Sequence, residues 1–289
     1  MNSMPDRKIF TVLGATSDTG RLVADSLAEA GHHVRRVSRR HGVSLDDAAT
    51  LKAAFAGADG AYLMMPFDLQ APDLHARERT LAAQIAAALQ GNRMRRAVVL
   101  SGLSAELKRG SSLGAALLED AVRALGLAEP VFLRAGWFME NFAKGLNFPA
   151  QAGSGVFATP FRPHRPLPMV SAGDVAARAA ELLQANTPPV EPVQELLGAA
   201  DLSMAEATAV MAQAIGRPGV RYEQVPLANA RAGMLAAGMS PSFADAVLET
   251  ARSFNDGEPW GAQSRTVRNT TPTTLAHWAR QAFAEGEAR

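Results

Sequence analysis

The sequence predicts an α/β protein: a doubly wound parallel sheet followed by a smaller, mostly helical C-terminal lobe. Three observations carry this prediction. Short apolar runs alternate with helix-length stretches from Ile9 to Leu133; the first run ends in a glycine-rich turn that opens a helix; and the second half loses this rhythm while gaining Pro and Gly.

The elements follow in order. Ile9 to Leu13 is apolar with β-branched members and stops at Gly14, as a buried parallel strand does. Leu22, Val23 and Leu27 share one face of a helix that Gly31 ends. His33 to Ser38 is a second strand. Leu51, Ala54 and Phe55 lie on a short helix, capped by Asp46 or Asp47 and closed by Gly57. Ala61 to Met65 is the next strand, stopped by Pro66. A long helix from Asp73 to Gln90 carries Leu74, Leu81, Ile85 and Leu89. Ala97 to Leu100 and Val131 to Leu133 are strands, separated by a helix with Leu113, Leu117, Val122 and Leu125 that ends at Gly126. Such alternation implies right-handed crossovers and a parallel sheet covered on both faces.

Beyond this point Phe148 to Pro168 reads as loop with room for short strands. Ser171-Ala-Gly-Asp174 and Ser203-Met-Ala-Glu206 have the spacing of a capping box. Val220 to Val225 is one more strand. Met234 to Phe254 is helical and broken near Pro241, and Thr273 to Phe283 is a terminal helix. The expected division is a sheet domain over 1–150, with 165–185 returning to it, and a smaller substrate lobe over 151–289 above the carboxyl ends of the strands.

Composition narrows the function. A net charge of +1 gives no electrostatic footprint for nucleic acid, so no nucleic-acid contact is expected. With no cysteine, disulfides, thiolate nucleophiles and Cys-ligated metals are excluded. The histidines lack metal-ligand spacing, and no metal is expected. The polar opening MNSMPDRK lacks the apolar core of a signal peptide, and no run reaches the ~18 apolar residues of a membrane span. A cytoplasmic monomer or homodimer acting on a small molecule is the expectation.

The chemistry-bearing motif is Gly14-Ala15-Thr16-Ser17-Asp18-Thr19-Gly20, between the first strand and the first helix. There the loop N–H groups and the helix N-terminus attract a pyrophosphate. Gly14 permits the tight turn, and Gly20 permits close helix–strand packing. An ordinary strand-to-helix turn is the alternative. Arg39 lies just past the second strand. An acidic residue there would bond the ribose 2′-hydroxyl of NAD, whereas an arginine pairs with a 2′-phosphate. The only acids between Arg21 and Leu45 are Asp25 and Glu29, both on the helix before that strand. The residues therefore favour NADP(H) over NAD(H), against the alternative of a solvated basic strand end.

The sequence resembles the NmrA-like family of atypical short-chain dehydrogenases, whose loop usually reads Gly-Ala-Thr-Gly-x-x-Gly. Val34-Arg35-Arg36-Val37-Ser38-Arg39 and Ala97-Val98-Val99-Leu100-Ser101 are similar to two of its strands. Leu133-Arg134-Ala135-Gly136-Trp137-Phe138-Met139-Glu140-Asn141 is similar to the segment that leads to its substrate pocket. Within the family the nearest look is to type 2 quinone oxidoreductases and azoreductase-like members. The resemblance implies a dinucleotide-binding Rossmann fold. It also implies a cofactor side lined by Met65 and Pro66, and a substrate side with Phe67, Trp137, Phe138 and Asn141. This chain departs from the pattern twice. Ser17 replaces the middle glycine, which a serine of negative φ tolerates, and only about five residues separate Arg40 from Asp46, where the family has a helix and a third strand.

No Tyr-x-x-x-Lys pair exists, since Tyr62 and Tyr222 are each followed four residues later by proline. The Lys-His pair that family quinone reductases carry before the glutamate matching Glu119 is here Gly114 and Ala115, neither of which transfers a proton. Ser101 and Asn141 remain as candidates to orient an acceptor oxygen, with a strand-end cap and a turn cap as their alternatives. His164, in the Phe161–Pro166 loop, reads as surface. Two functions follow. One is an NADP(H)-dependent oxidoreductase passing hydride to a quinone or similar conjugated acceptor. The other is a non-catalytic NADP redox sensor that binds a protein partner.

Overall fold

In the computed structural model, which describes residues 7–284, the first half alternates strand and helix as its apolar spacing requires. In order these are β1 (Ile9–Leu13), α1 (Asp18–Glu29), β2 (His33–Val37), α2 (Ala48–Phe55), β3 (Gly60–Leu63), α3 (Leu74–Leu89), β4 (Arg96–Gly102), α4 (Leu113–Ala124) and β5 (Glu129–Ala135). The second half adds β6 (Trp137–Phe138), α5 (Glu140–Ala143), α6 (Phe148–Ala152), β7 (Val156–Thr159), β8 (Leu167–Val170), α7 (Ala172–Gln184) and β9 (Val193–Leu196). It ends with β10 (Asp201–Leu202), α8 (Met204–Ala214), β11 (Arg221–Gln224), α9 (Leu227–Ala236), α10 (Pro241–Asn255) and α11 (Leu275–Ala284). The polar lead-in up to residue 6 lies outside the described residues.

The central sheet has six strands in the order β2-β1-β3-β4-β5-β9, all parallel. Its two faces are covered separately. On one, Val12, Tyr62, Val98 and Leu133 pack against Val23 and Leu27 of α1 and Val175, Ala179 and Leu183 of α7. On the other, Leu13, Leu63, Val99 and Phe132 pack against Phe55 of α2, Leu81 and Ile85 of α3, and Leu118 and Val122 of α4. Strands buried on both faces need continuous apolar runs, and β1, β3, β4 and β5 supply them. Strand β2 is the exception. It is the sheet edge, and its arginines are half-buried, Arg36 pairing with Asp25 of α1 at 2.7 Å. Among the described residues no strand lies beyond it, as the short stretch between Arg40 and Asp46 requires. That stretch holds only a 3₁₀ turn over Arg39–His41 before Asp47 caps α2 by accepting from the N–H groups of Ala49 and Thr50.

The strand expected over 61–65 ends at Leu63, leaving Met64 and Met65 in the connection to α3. The stretch 148–168, expected as loop with room for short strands, holds β7 and the start of β8 but also the helix α6. Helix breaks fall where caps dictate. Ser240 caps α10 with Pro241 at its first turn, so the break near Pro241 separates two helices, the first beginning already at Leu227. Ser203 and Glu206 form a complete capping box. Ser171–Asp174 forms half of one. Ser171 accepts from the Asp174 N–H, but the Asp174 carboxylate turns to Thr273, taking its N–H at 3.0 Å and its hydroxyl at 2.8 Å. The entrance to α11 is thereby tied to the start of α7.

The remaining elements pack around an aromatic core of Phe142, Phe148, Phe157, Phe254 and Trp278, with Met204 and Met211 of α8. Two small sheets, β10-β8-β6 and β11-β7, frame it. Helix α7 and strand β9 lie late in the chain but complete the central sheet.

Candidate functional site

The site begins where β1 runs into α1. The N–H groups of Gly14 and Ala15 both donate to Val37 O, at 3.0 and 3.2 Å, which fastens the loop to the end of β2. Gly14 takes φ +77°, a left-handed backbone that side chains avoid, and a Cβ there would stand 2.4 Å from Met64 Sδ. A Cβ on Gly20 would stand 2.3 Å from Gly14 O, so both glycines are required by the loop itself. Ala15 is buried and Thr16 exposed.

Ser17 has φ −74° and ψ 165°, an extended conformation open to any residue. Its hydroxyl caps α1, accepting from the Gly20 N–H at 3.0 Å and donating to Met64 Sδ at 3.1 Å. The serine thus fits in place of glycine, with its hydroxyl already engaged. Among the described residues, the N–H groups of Thr16, Asp18 and Thr19 have no protein acceptor. They stand at the positive end of the α1 dipole. Thr19 Oγ1 instead receives the buried Tyr62 hydroxyl at 2.9 Å. A tight glycine turn, three free N–H donors and a helix N-terminus fit the pyrophosphate of a dinucleotide.

Arg39 follows β2, exposed, and enters no ion pair among the described residues. Its neighbours are committed: Arg35 donates to Ala54 O and Ala56 O, and Arg36 to Asp25. The fold also brings up an acid that the sequence window had not included. Asp46 lies near enough to Arg39 to feel its charge, yet the Arg77 guanidinium grips it at 2.6 and 2.9 Å and holds its carboxyl below the usual range. Among the described residues, Arg39 and the adjacent, equally exposed Arg40 are the guanidiniums left unengaged at this strand end.

The residues after β3 divide by environment. Met64 meets the loop, whereas Met65 is packed into the core between the sheet and α3 and α4, and Pro66 is half-buried. Phe67 is 59% exposed, its ring edge-on to Phe243 at 6.0 Å.

The segment from Leu133 to Asn141 resolves into distinct tasks. Arg134 is buried and bonds Glu119 of α4 at 3.0 and 2.9 Å and Glu106 at 2.6 Å. Burial pushes the Glu119 carboxyl up, but the Arg134 guanidinium outweighs it and holds the group below its ordinary value. A Cβ on Gly136 would stand 2.8 Å from Pro168 O, so that glycine lets β6 approach β8. Trp137 packs against Phe142 at 4.6 Å, and Phe138 leans on the α7 side of the sheet. Glu140 accepts from the Ala172 N–H at 3.0 Å and from Trp278 Nε1 at 3.1 Å, pinning α5 to α7 and α11. The Asn141 side chain has no partner among the described residues.

Proton-bearing groups are scarce here. Ser101 is buried, near enough to the Glu119 carboxylate to help lower it, and its Oγ has no partner within hydrogen-bonding geometry among the described residues. Tyr62 is fully buried and its ionisation is strongly suppressed by that burial. Burial pushes Tyr222 up to about 12, and its hydroxyl bonds Thr159 Oγ1 and Phe161 O, both at 2.6 Å. The place of a side chain at Gly114 is taken by Glu78 of α3, whose Oε1 would lie 2.3 Å from a Cβ there. In the Phe161–Pro166 loop, Arg165 lies over the Phe254 ring and Arg162 N–H donates to Asn255, which hold that loop against α10. Among the described residues no group of three or more acidic or histidine side chains could hold a metal, and no helix is long and apolar enough to cross a membrane.

Sequence reasoning did not distinguish Met64, the loop's neighbour, from Met65, because the two look alike in a run. It also missed Lys144, whose ammonium reaches Asp18 in the loop across 126 chain positions.

The geometry has counterparts. An NAD(P)H azoreductase of Xenophilus azovorans is 32% identical over 234 residues, covering 79% of this chain and 76% of that protein. The triphenylmethane reductase of Citrobacter sp., solved with NADP(H), superposes with a TM-score of 0.72 at 18% identity, over 95% of this chain and 99% of that one. An NADPH-dependent quinone oxidoreductase of Escherichia coli, solved with NADPH, gives 0.71 at 20% identity, again over 95% and 99%. At these identities the two structures speak for the fold. The NmrA-like family pattern itself matches residues 6–267, and on this match and the azoreductase identity the chain belongs to the NmrA-like family.

Proposed function

We propose that the chain is an NADP(H)-dependent reductase of quinones or similar conjugated acceptors. The observation that carries this reading is the Gly14–Gly20 turn with its free N–H groups beside an uncommitted Arg39, in a family member related to an NAD(P)H azoreductase. The N–H groups of Thr16, Asp18 and Thr19 take the pyrophosphate, and Arg39 takes the 2′-phosphate. Met64 and Pro66 border the cofactor side. Phe67 offers an exposed ring at the carboxyl end of β3, on which a planar acceptor can stack. Trp137, Phe138 and Asn141 lie on the segment leading to the acceptor, and Asn141 has a free amide to donate to its oxygen.

A nicotinamide cofactor supplies the hydride when bound. The protein's own contribution to proton transfer is small: both tyrosines are engaged, Ser101 is buried, positions 114 and 115 carry no acid, and the Glu78 carboxyl that fills the space beside Gly114 is itself buried and bonded to His75. Acceptors must therefore yield an anion stable enough to take its proton from water. A quinone does so, because the product is a phenolate-type anion. A simple ketone does not, since an alkoxide without a donor is too costly.

Steady-state turnover tests this. Small quinones should oxidise NADPH measurably, and aliphatic ketones should not. Robust ketone reduction would refute the proton argument. NADPH binding with no turnover on any acceptor would favour the second reading, a dinucleotide sensor, for which the same scarcity of acids speaks.

A further inference from the structure

We infer that Lys144, contributed by the end of α5, is a pyrophosphate-binding residue held ready by Asp18. This rests on the function proposed above.

Asp18 opens α1, where a carboxylate complements the helix dipole and so occupies the electrostatic position that a bound phosphate requires. Left alone, it would repel a pyrophosphate arriving at the N–H groups of Thr16, Asp18 and Thr19. The structure supplies the counter-charge. Lys144 Nζ donates to Asp18 Oδ1, crossing from the end of α5 to the dinucleotide loop. Both side chains are substantially exposed, 68% for Lys144 and 39% for Asp18, so the pair stands open to solvent.

The segment that carries Lys144 is firmly set. The Lys144 N–H donates to Glu140 O at 3.0 Å, Phe142 beside it is fully buried, and Glu140 is fixed by Ala172 and Trp278. The charges facing Asp18 are Lys144 and, more distantly, the buried Glu140, which is pushed upward mainly by its burial and slightly by Asp18 itself. Arg21, on the next part of the helix, is turned to Asp25. Lys144 is thus the cation placed against this end of the loop. An ammonium has three donors, so it can keep Asp18 and bond a phosphate oxygen at once. It balances the repulsive carboxylate and ties α5 to the cofactor site when the dinucleotide is in place.

The test is calorimetric titration of the full chain with NADPH, and with 2′-AMP, a fragment that keeps the 2′-phosphate and lacks the pyrophosphate. Lys144→Met should weaken NADPH about tenfold, the scale of one lost charge-assisted contact. It should leave 2′-AMP and the melting temperature unchanged, and added salt should weaken NADPH less steeply than in the parent. Lys144→Arg should retain most of the affinity. Asp18→Asn in the Lys144→Met background should recover part of the loss, because the unbalanced carboxylate is gone. Parent-like NADPH affinity in Lys144→Met overturns the inference, as does equal weakening of 2′-AMP. A parent chain that binds no NADPH removes the proposed function and this inference together. A parent that binds, with Lys144→Met unchanged, removes this inference alone.

Discussion

Ser17 shows how a departure from a family pattern is absorbed locally. The usual glycine allows a phosphate to approach the backbone, yet at φ −74° a serine leaves that approach open and adds a helix cap. Ser17→Gly should therefore change NADPH affinity little, and should lower stability by only a few tenths of a kcal/mol, because glycine is itself an acceptable cap. Gly20→Ala should be severe, since its Cβ would lie 2.3 Å from Gly14 O and the turn must open to admit it. Titration of both variants beside the parent checks this. A large affinity gain for Ser17→Gly would mean that the serine holds the loop away from its ligand. The sequence made Gly14 and Gly20 legible because each has a backbone role tied to its position in the chain. It did not reveal that Asp46 approaches Arg39 and is neutralised by Arg77, because that meeting depends on how α3 lies beside the edge of the sheet.

The α3–α4 pair holds a buried carboxyl with little support. Glu78 is buried, its Oε2 bonded to His75 at 2.9 Å and its Oε1 without a partner. Burial pushes its carboxyl above the ordinary value, against weaker opposing pulls from His75 and the more distant Arg79. A raised folded-state value means the contribution to stability is complete below the unfolded value and is lost as pH rises through the folded one. Glu78→Gln removes that loss. Urea unfolding between about pH 5 and about pH 8 should show the variant gaining on the parent as pH rises. A variant that instead falls further behind at the higher pH would show that the ionised carboxylate is stabilising.

Elements with a strong apolar period were readable, as β1, with its expected bounds, and α3, within a residue at either end, attest. Strand β9 was not, because Val193-Gln-Glu-Leu196 has too few apolar residues and owes its place to pairing with β5. Likewise β7 and β8 each span four residues in a Pro-rich stretch, and tertiary pairing decides them.

Taken whole, the molecule uses α7 and α11, late in the chain, to hold α5 near a loop built at its start. Chain order separates what the fold joins: Glu140 with Trp278, Asp174 with Thr273, and Lys144 with Asp18. The doubly wound sheet could be anticipated from alternation alone, whereas these cross-links could not, since side chains far apart in sequence carry no shared local pattern. The account depends on the loop and Arg39 together selecting a 2′-phosphorylated dinucleotide. The most direct measurement is calorimetric titration of the parent chain and of Arg39→Ala with NADPH and NADH. The parent should bind NADPH about tenfold or more tightly than NADH, and Arg39→Ala should lose that preference while keeping its NADH affinity, as the loss of one charge-assisted phosphate contact requires. Equal affinities for the two dinucleotides in the parent, or no binding of either, would contradict it.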